Sequence, residues 1–402
     1  MVNQSIPKLW TKDFIILSLV NFFLIFVYLL LNATIALYAL NEFDATTGQA
    51  GLVAGIFIIG ALAGRLLAGG IIARIEYKRV MMIGLVFFTL SILLYLADYG
   101  LAFFIISRFL NGAALGVATT VIGTLVVLSL PDSKRGEGIG YFAVSTAMAT
   151  GLGPFVGLYM AQHTDFKMIF ILCLLMGIVS IAIGFFVSVP KTEKAEVEPV
   201  GKGFRLSDFI EPKALPISFI VLLMTFCFSS VLSYINLYAI ELELVSTASF
   251  FFIVYTVTVL ISRPFTGRLM DKIGPDYIMY PAFAVFAAGM ILLGTANSAA
   301  SLLIAAALIG IGFGNISSIS QTIAVSAAVP HRMGLATATF FIFFDIGNGF
   351  GPSILGLVIP ITGYPVMYMA LGLAVLATSF LYYLLFGKKE KKGHRSLIEG
   401  KE

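Results

Sequence analysis

The sequence predicts an all-α membrane protein, with 12 transmembrane helices forming two pseudo-symmetric six-helix bundles. Three observations lead to this fold class. The 402-residue chain is 59% hydrophobic and only 11% charged, whereas charged residues make up about 25% of an ordinary soluble protein. Apolar runs of about 20 residues recur along its whole length, each long enough to cross ~30 Å of hydrocarbon. Finally, glycines, prolines and basic residues repeat at one fixed offset. Arg65 and Arg263 are 263 − 65 = 198 residues apart, and the same offset links Gly69 to Gly267, Arg74 to Lys272, Gly112 to Gly310, Gly153 to Gly351 and Pro154 to Pro352. Matches of this kind at a single period mark a duplicated unit.

Lipid offers no hydrogen bonds to a backbone, so each apolar run must satisfy its own amides as a helix. The first unit reads as spans near 13–40, 47–73, 80–98, 101–130, 138–161 and 167–189. The second reads as spans near 214–240, 247–270, 277–296, 299–329, 334–360 and 365–386. The opening run is too long for a signal-peptide core, and no small-residue cleavage site follows it. The expected organisation is therefore an N-terminal bundle over 1–189, a polar linker over 190–213, a C-terminal bundle over 214–387 and a basic tail over 388–402.

Orientation follows from the cations. Lys167 is assigned to a turn on one face and Arg108 to the interior of a span, while the remaining Lys and Arg are assigned to the opposite face. The excess of cations on cytoplasmic loops makes that basic face the inner one and places both termini in the cytoplasm, as expected of a multi-pass protein of the plasma membrane. Cys173 and Cys227 both lie inside apolar runs and read as small buried hydrophobes. No phosphate-binding loop, zinc-ligand cluster or nucleophile triad appears, so neither an enzyme nor an ATP-driven pump is expected. No cofactor, metal or nucleic-acid partner is called for.

Two stretches carry a more specific signal. Between spans 2 and 3, Gly69, Arg74, Lys78 and Arg79 are followed 198 residues later by Gly267, Asp271, Lys272 and Gly274. In span 5, Ala149, Gly153, Pro154 and Gly157 place a proline inside a helix, where it removes a hydrogen bond and bends the axis. On these motifs the full length of the chain resembles the major facilitator superfamily, in particular its twelve-span drug/proton antiporter branch. The first stretch is similar to the family's Gly-x-x-x-Asp-Arg-x-Gly-Arg-Lys signature, although Ala73 stands where the acid belongs; the second copy keeps that acid as Asp271. The resemblance implies a cytoplasmic gate built from Gly69, Arg74, Lys78, Arg79, Gly267, Asp271, Lys272 and Gly274. Span 5 is similar to the antiporter motif Gly-x-x-x-Gly-Pro-x-x-Gly-Gly. Arg108 to Gly112 resembles the Arg-x-x-Gln-Gly element, with Asn111 in place of Gln, and the family implicates this arginine in proton coupling.

Independently of the resemblance, Arg108 and Asp345 are ionisable groups set deep in apolar runs, a costly placement that usually marks function. Their repeat positions, 108 + 198 = 306 and 345 − 198 = 147, are both alanine. A carboxyl in a span can load and release a proton as solvent access changes, so Asp345 and Arg108 are expected to form the proton-coupling pair. Polar residues of spans 1, 4, 7, 10 and 11 are expected to line a substrate cavity: Asn21, Tyr28, Asn32, Asn111, Tyr234, Asn236, Asn315, Ser318, Gln321 and Asn348. Each of them alone also reads as an interhelical hydrogen bond. The expected function is export of a small amphipathic molecule in exchange for protons by alternating access, with the protein a monomer in the lipid bilayer. Proton-coupled import of a sugar or organic acid, and lipid flipping, remain open.

Overall fold

A computed structural model of the chain describes residues 9–72, 75–97, 99–131, 134–188, 210–329 and 332–387. The expected linker, apart from its last residues, and the expected tail lie outside these residues. The described residues are helical: α1 Lys12–Glu42, α2 Thr47–Ile72, α3 Tyr77–Leu93, α4 Leu101–Ser129, α5 Arg135–His163 and α6 Phe166–Gly184, then α7 Leu215–Glu241, α8 Val245–Ile273, α9 Asp276–Gly294 and α10 Ala299–Ser326. The last helical run, Met333–Tyr382, is broken at Gly363 (φ 74°, ψ 167°), a backbone geometry that only glycine adopts without strain. We label the part before the break α11 (333–362) and the part after it α12 (364–382). Twelve segments are long and apolar enough to span a bilayer, so this is a multi-pass helical membrane protein.

Local signals set the helix ends. The Thr11 hydroxyl accepts from the Phe14 amide to start α1. A reciprocal Ser298–Ser301 capping box starts α10. Gly274 (φ 96°) ends α8.

Helices in lipid gain nothing from burying oil in oil, so close approach and van der Waals packing decide which of them associate. The repeated glycines supply that approach. In the first bundle α2 and α4 meet along a seam where a side chain on Gly60 or Gly64 would collide with the α4 backbone, and one on Gly112 or Gly116 with that of α2. The second bundle repeats the seam between α8 and α10, through Gly310 against Tyr255 and Gly314 against Val259. Gly153 and Gly157 seat α5 on α1. Gly351, the copy of Gly153, and Gly347, whose counterpart is Ala149, seat α11 on α7. Each bundle closes around its own core, one centred on residues such as Phe88, Phe104 and Phe170, the other on Phe283, Phe286 and Tyr368.

Overpacking a seam of this kind costs roughly 1–3 kcal/mol. Gly112→Leu is therefore expected to lower the melting temperature of the detergent-solubilised protein clearly. Gly55→Leu, at a position with open space around it, is expected to leave it nearly unchanged.

Candidate translocation site

The two bundles meet where α2 faces α11 and α5 faces α8. At the centre of the first contact is an ion pair that crosses from one bundle to the other. Arg65 of α2 donates from Nε to Oδ2 of Asp345 on α11 at 2.6 Å. Its Nη1 donates to the Thr119 hydroxyl on α4 at 3.1 Å, and its guanidinium lies 4.6 Å from the centre of the Phe341 ring. Arg65 is buried, while the Asp345 side chain keeps 17% of its surface open. A carboxylate and a guanidinium in a low-dielectric setting hold one another strongly, and either one alone would be an uncompensated charge.

This arrangement corrects two expectations. Arg65 and Arg263 had been assigned with the other cations to the basic face, but both are buried within α2 and α8. Arg108, expected to partner Asp345, instead sits in the core of the first bundle. There its Nε donates to the Val53 carbonyl at 3.3 Å, its Nη1 to the Tyr95 hydroxyl at 3.5 Å, and its guanidinium lies 4.6 Å from the centre of the Phe57 ring. Its Nη2 has no partner. Tyr28 stacks on that same Phe57 ring at 4.8 Å and lies within electrostatic reach of Asp345, Arg108 and Arg65.

The polar residues expected in the cavity divide into two groups. Several tie helices together within one bundle. Asn21 donates to Ser145 and Thr146, linking α1 to α5. Asn111 donates to the Phe88 carbonyl and Ser91, linking α4 to α3. Asn315 donates to Ser262 and accepts from Thr266, linking α10 to α8. Tyr234 donates to the Pro352 carbonyl, and Ser318 to the carbonyl of Asn315 on its own helix. The others keep polar atoms in reserve. Asn32 is exposed and Asn348 half-buried. Gln321 is buried with an unpartnered Nε2, and it faces Gly123 across the bundle interface. The side chain of Asn236 lies outside the described residues.

At the basic face the second motif copy ties α8 to the start of α5. The carboxylate of Asp271, at the end of α8, accepts from the backbone amides of Gly136 and Glu137 at 2.8 and 2.9 Å. These are the first-turn amides of α5, which have no partners inside their own helix and favour an anion. Arg268 donates to Glu137 at 2.6 Å. Gly267 makes the fit possible, because a Cβ there would stand 2.8 Å from the Glu137 Cα. Lys272 is exposed beside this clasp. The first motif copy stays within its own bundle: Lys78 donates to the Phe185 carbonyl, and Arg79 pairs with Glu76 at the surface. Gly69 is buried, and Arg74 lies outside the described residues.

Asp271→Ala would leave those two amides without their acceptor. A single cysteine placed at Gly140, where a Cβ fits, is then expected to react with a membrane-impermeant thiol reagent several-fold faster than in the otherwise unchanged protein. An unchanged labelling rate would show that the clasp does not hold this face closed.

Two pseudo-symmetric helical bundles with a charged site between them are the arrangement of a membrane transporter. Comparison with known proteins agrees. The Major Facilitator Superfamily profile matches residues 17–252 and 242–401, and the chain belongs to that family. An uncharacterised MFS-type transporter of Methanocaldococcus jannaschii is 26% identical over 358 residues, covering 87% of this chain and 92% of the relative. The staphylopine export protein of Staphylococcus aureus is 21% identical over 86% of this chain and 89% of its own length. Among solved structures, the human organic anion transporter MFSD10 superposes with a TM-score of 0.76 at 14% identity, covering 92% of this chain and 98% of that one. At that identity the likeness speaks for the fold.

Proposed function

We propose that this MFS transporter exports a small amphipathic molecule across the plasma membrane in exchange for protons, with both termini in the cytoplasm. The observation that carries the reading is the Arg65–Asp345 pair, because it is both an ionisable site at the centre and a tie between the two bundles. Protonating Asp345 removes the charge that holds Arg65, so proton binding and separation of α2 from α11 become one event. The Asp271 clasp closes the cytoplasmic side in the conformation described here, which leaves the outward side as the route for proton entry. Tyr28, Gln321 and Asn348 supply hydrogen-bonding groups around an otherwise apolar space, as an amphipathic cargo requires. The staphylopine export protein among the relatives supports the direction of transport.

Everted membrane vesicles test this reading. With the interior acidified, vesicles containing the protein should accumulate ethidium or another amphipathic dye, and nigericin should abolish the accumulation. Accumulation that persists with no proton gradient, or none with any of a panel of amphipathic dyes, would count against proton-driven export.

A further inference from the structure

Arg65 and Arg263 are counterparts in the two units, yet among the described residues only Arg65 has a counter-charge. Arg65 lies among Thr119, Phe341 and Asp345. Subtracting the 198-residue offset from 341 and 345 gives Ala143 and Ala147 on α5, and adding it to 119 gives Ser317 on α10. At the positions that correspond to the surroundings of Arg65, the carboxylate and the aromatic ring have thus both become methyl groups, while a hydroxyl remains. Arg263 is only 4% exposed, and its Nε and Nη1 have no hydrogen-bond partner. Helical side chains lean toward the start of their helix. From its place on α8 Arg263 therefore leans away from the basic face, toward the level where the Thr256 hydroxyl donates to the Ala147 carbonyl at 3.1 Å. This is the α5–α8 half of the bundle interface. The Tyr255 hydroxyl, two turns along the same helix, is within electrostatic reach.

Arginine does not give up its proton under ordinary conditions, so it cannot escape burial by becoming neutral. A buried cation without an acceptor is among the least tolerable groups in a protein interior. Dispensing with the carboxylate and the ring while keeping the arginine leaves a buried cation in the half of the interface where α5 and α8 face one another. We propose that Arg263 is a substrate-binding residue that takes the carboxylate of an amphipathic cargo, with the cargo's anion standing where Asp345 stands beside Arg65. This proposal rests on the reading above that the interface holds the cargo, and it names organic carboxylates as a class of cargo that the site takes.

Binding to purified protein tests it without any gradient. Fluorescence anisotropy of 5-carboxyfluorescein should show saturable binding to the wild type, weakened at least tenfold by Arg263→Gln. Ala147→Asp supplies an internal carboxylate to the same guanidinium and should weaken binding equally, with thermal stability kept or raised; it remains informative if the Arg263 variant folds poorly. Ethidium, a cation of similar size, should not lose affinity in either variant. Carboxyfluorescein affinity unchanged in both variants, or no saturable binding of it to the wild type, would overturn the proposal. Binding is read here with no proton gradient, whereas proton coupling is read as gradient-driven accumulation in vesicles, so a failure of proton coupling and a failure of carboxylate recognition give different results.

Discussion

Asp345→Asn is expected to leave a folded protein that no longer moves dye uphill. The asparagine keeps the shape of the side chain, and its amide oxygen can still accept from Arg65 Nε, so the α2–α11 contact survives in weakened form. What disappears is a group that alternates between charged and neutral. In everted vesicles the imposed pH gradient should drive roughly 10- to 100-fold less accumulation, the loss expected when a hydrogen bond to a charged group worth about 1.5–3 kcal/mol no longer switches with the proton. Downhill equilibration of the dye should persist. Gradient-driven accumulation at the wild-type level in this variant would remove Asp345 from the coupling mechanism.

The second large effect is on stability. Arg65→Leu strands the Asp345 carboxylate against apolar surroundings and should destabilise the protein by about 3–5 kcal/mol, the range found when one partner of a buried pair is removed. The partial opening of Asp345 to solvent places the value toward the lower end. Removing both charges in Arg65→Leu/Asp345→Leu should restore much of the loss, because an apolar pair of similar volume needs no compensation. Unfolding measured on the wild type, both single variants and the double variant gives the coupling between the two residues. Simple additivity would mean that the two side chains do not stabilise each other.

Much of the fold was legible in the sequence because glycine spacing determines where helices can touch. The offset linking Gly112 to Gly310 and Gly153 to Gly351 appears in the structure as matching seams in the two bundles. The site was legible only in part. Asp345 stood out because its counterpart is alanine. Arg65 was missed for the opposite reason: its counterpart Arg263 is present, so a search for broken symmetry passed over it, and its closeness to a basic turn disguised a buried residue. An arginine seven positions before the end of α2, about 10 Å inside at 1.5 Å per residue, was the available signal. Asn21, Asn111 and Asn315 show the other limit. Helical periodicity tells which residues share a face, but not which neighbour covers that face, and here other helices of the same bundle do.

The separateness of the two cores reaches beyond transport. Most of the buried apolar side chains in each bundle cluster with others of that bundle, and the bundles meet mainly where α2 faces α11 and α5 faces α8, with polar ties at both contacts. Cut within 190–213 and produced from two genes in one cell, the halves should find each other and copurify, as partners in a heterodimer do. On this view an ancestral protein made of two identical copies needed no new architecture to become a single chain, and fusion left each copy free to change its charges independently.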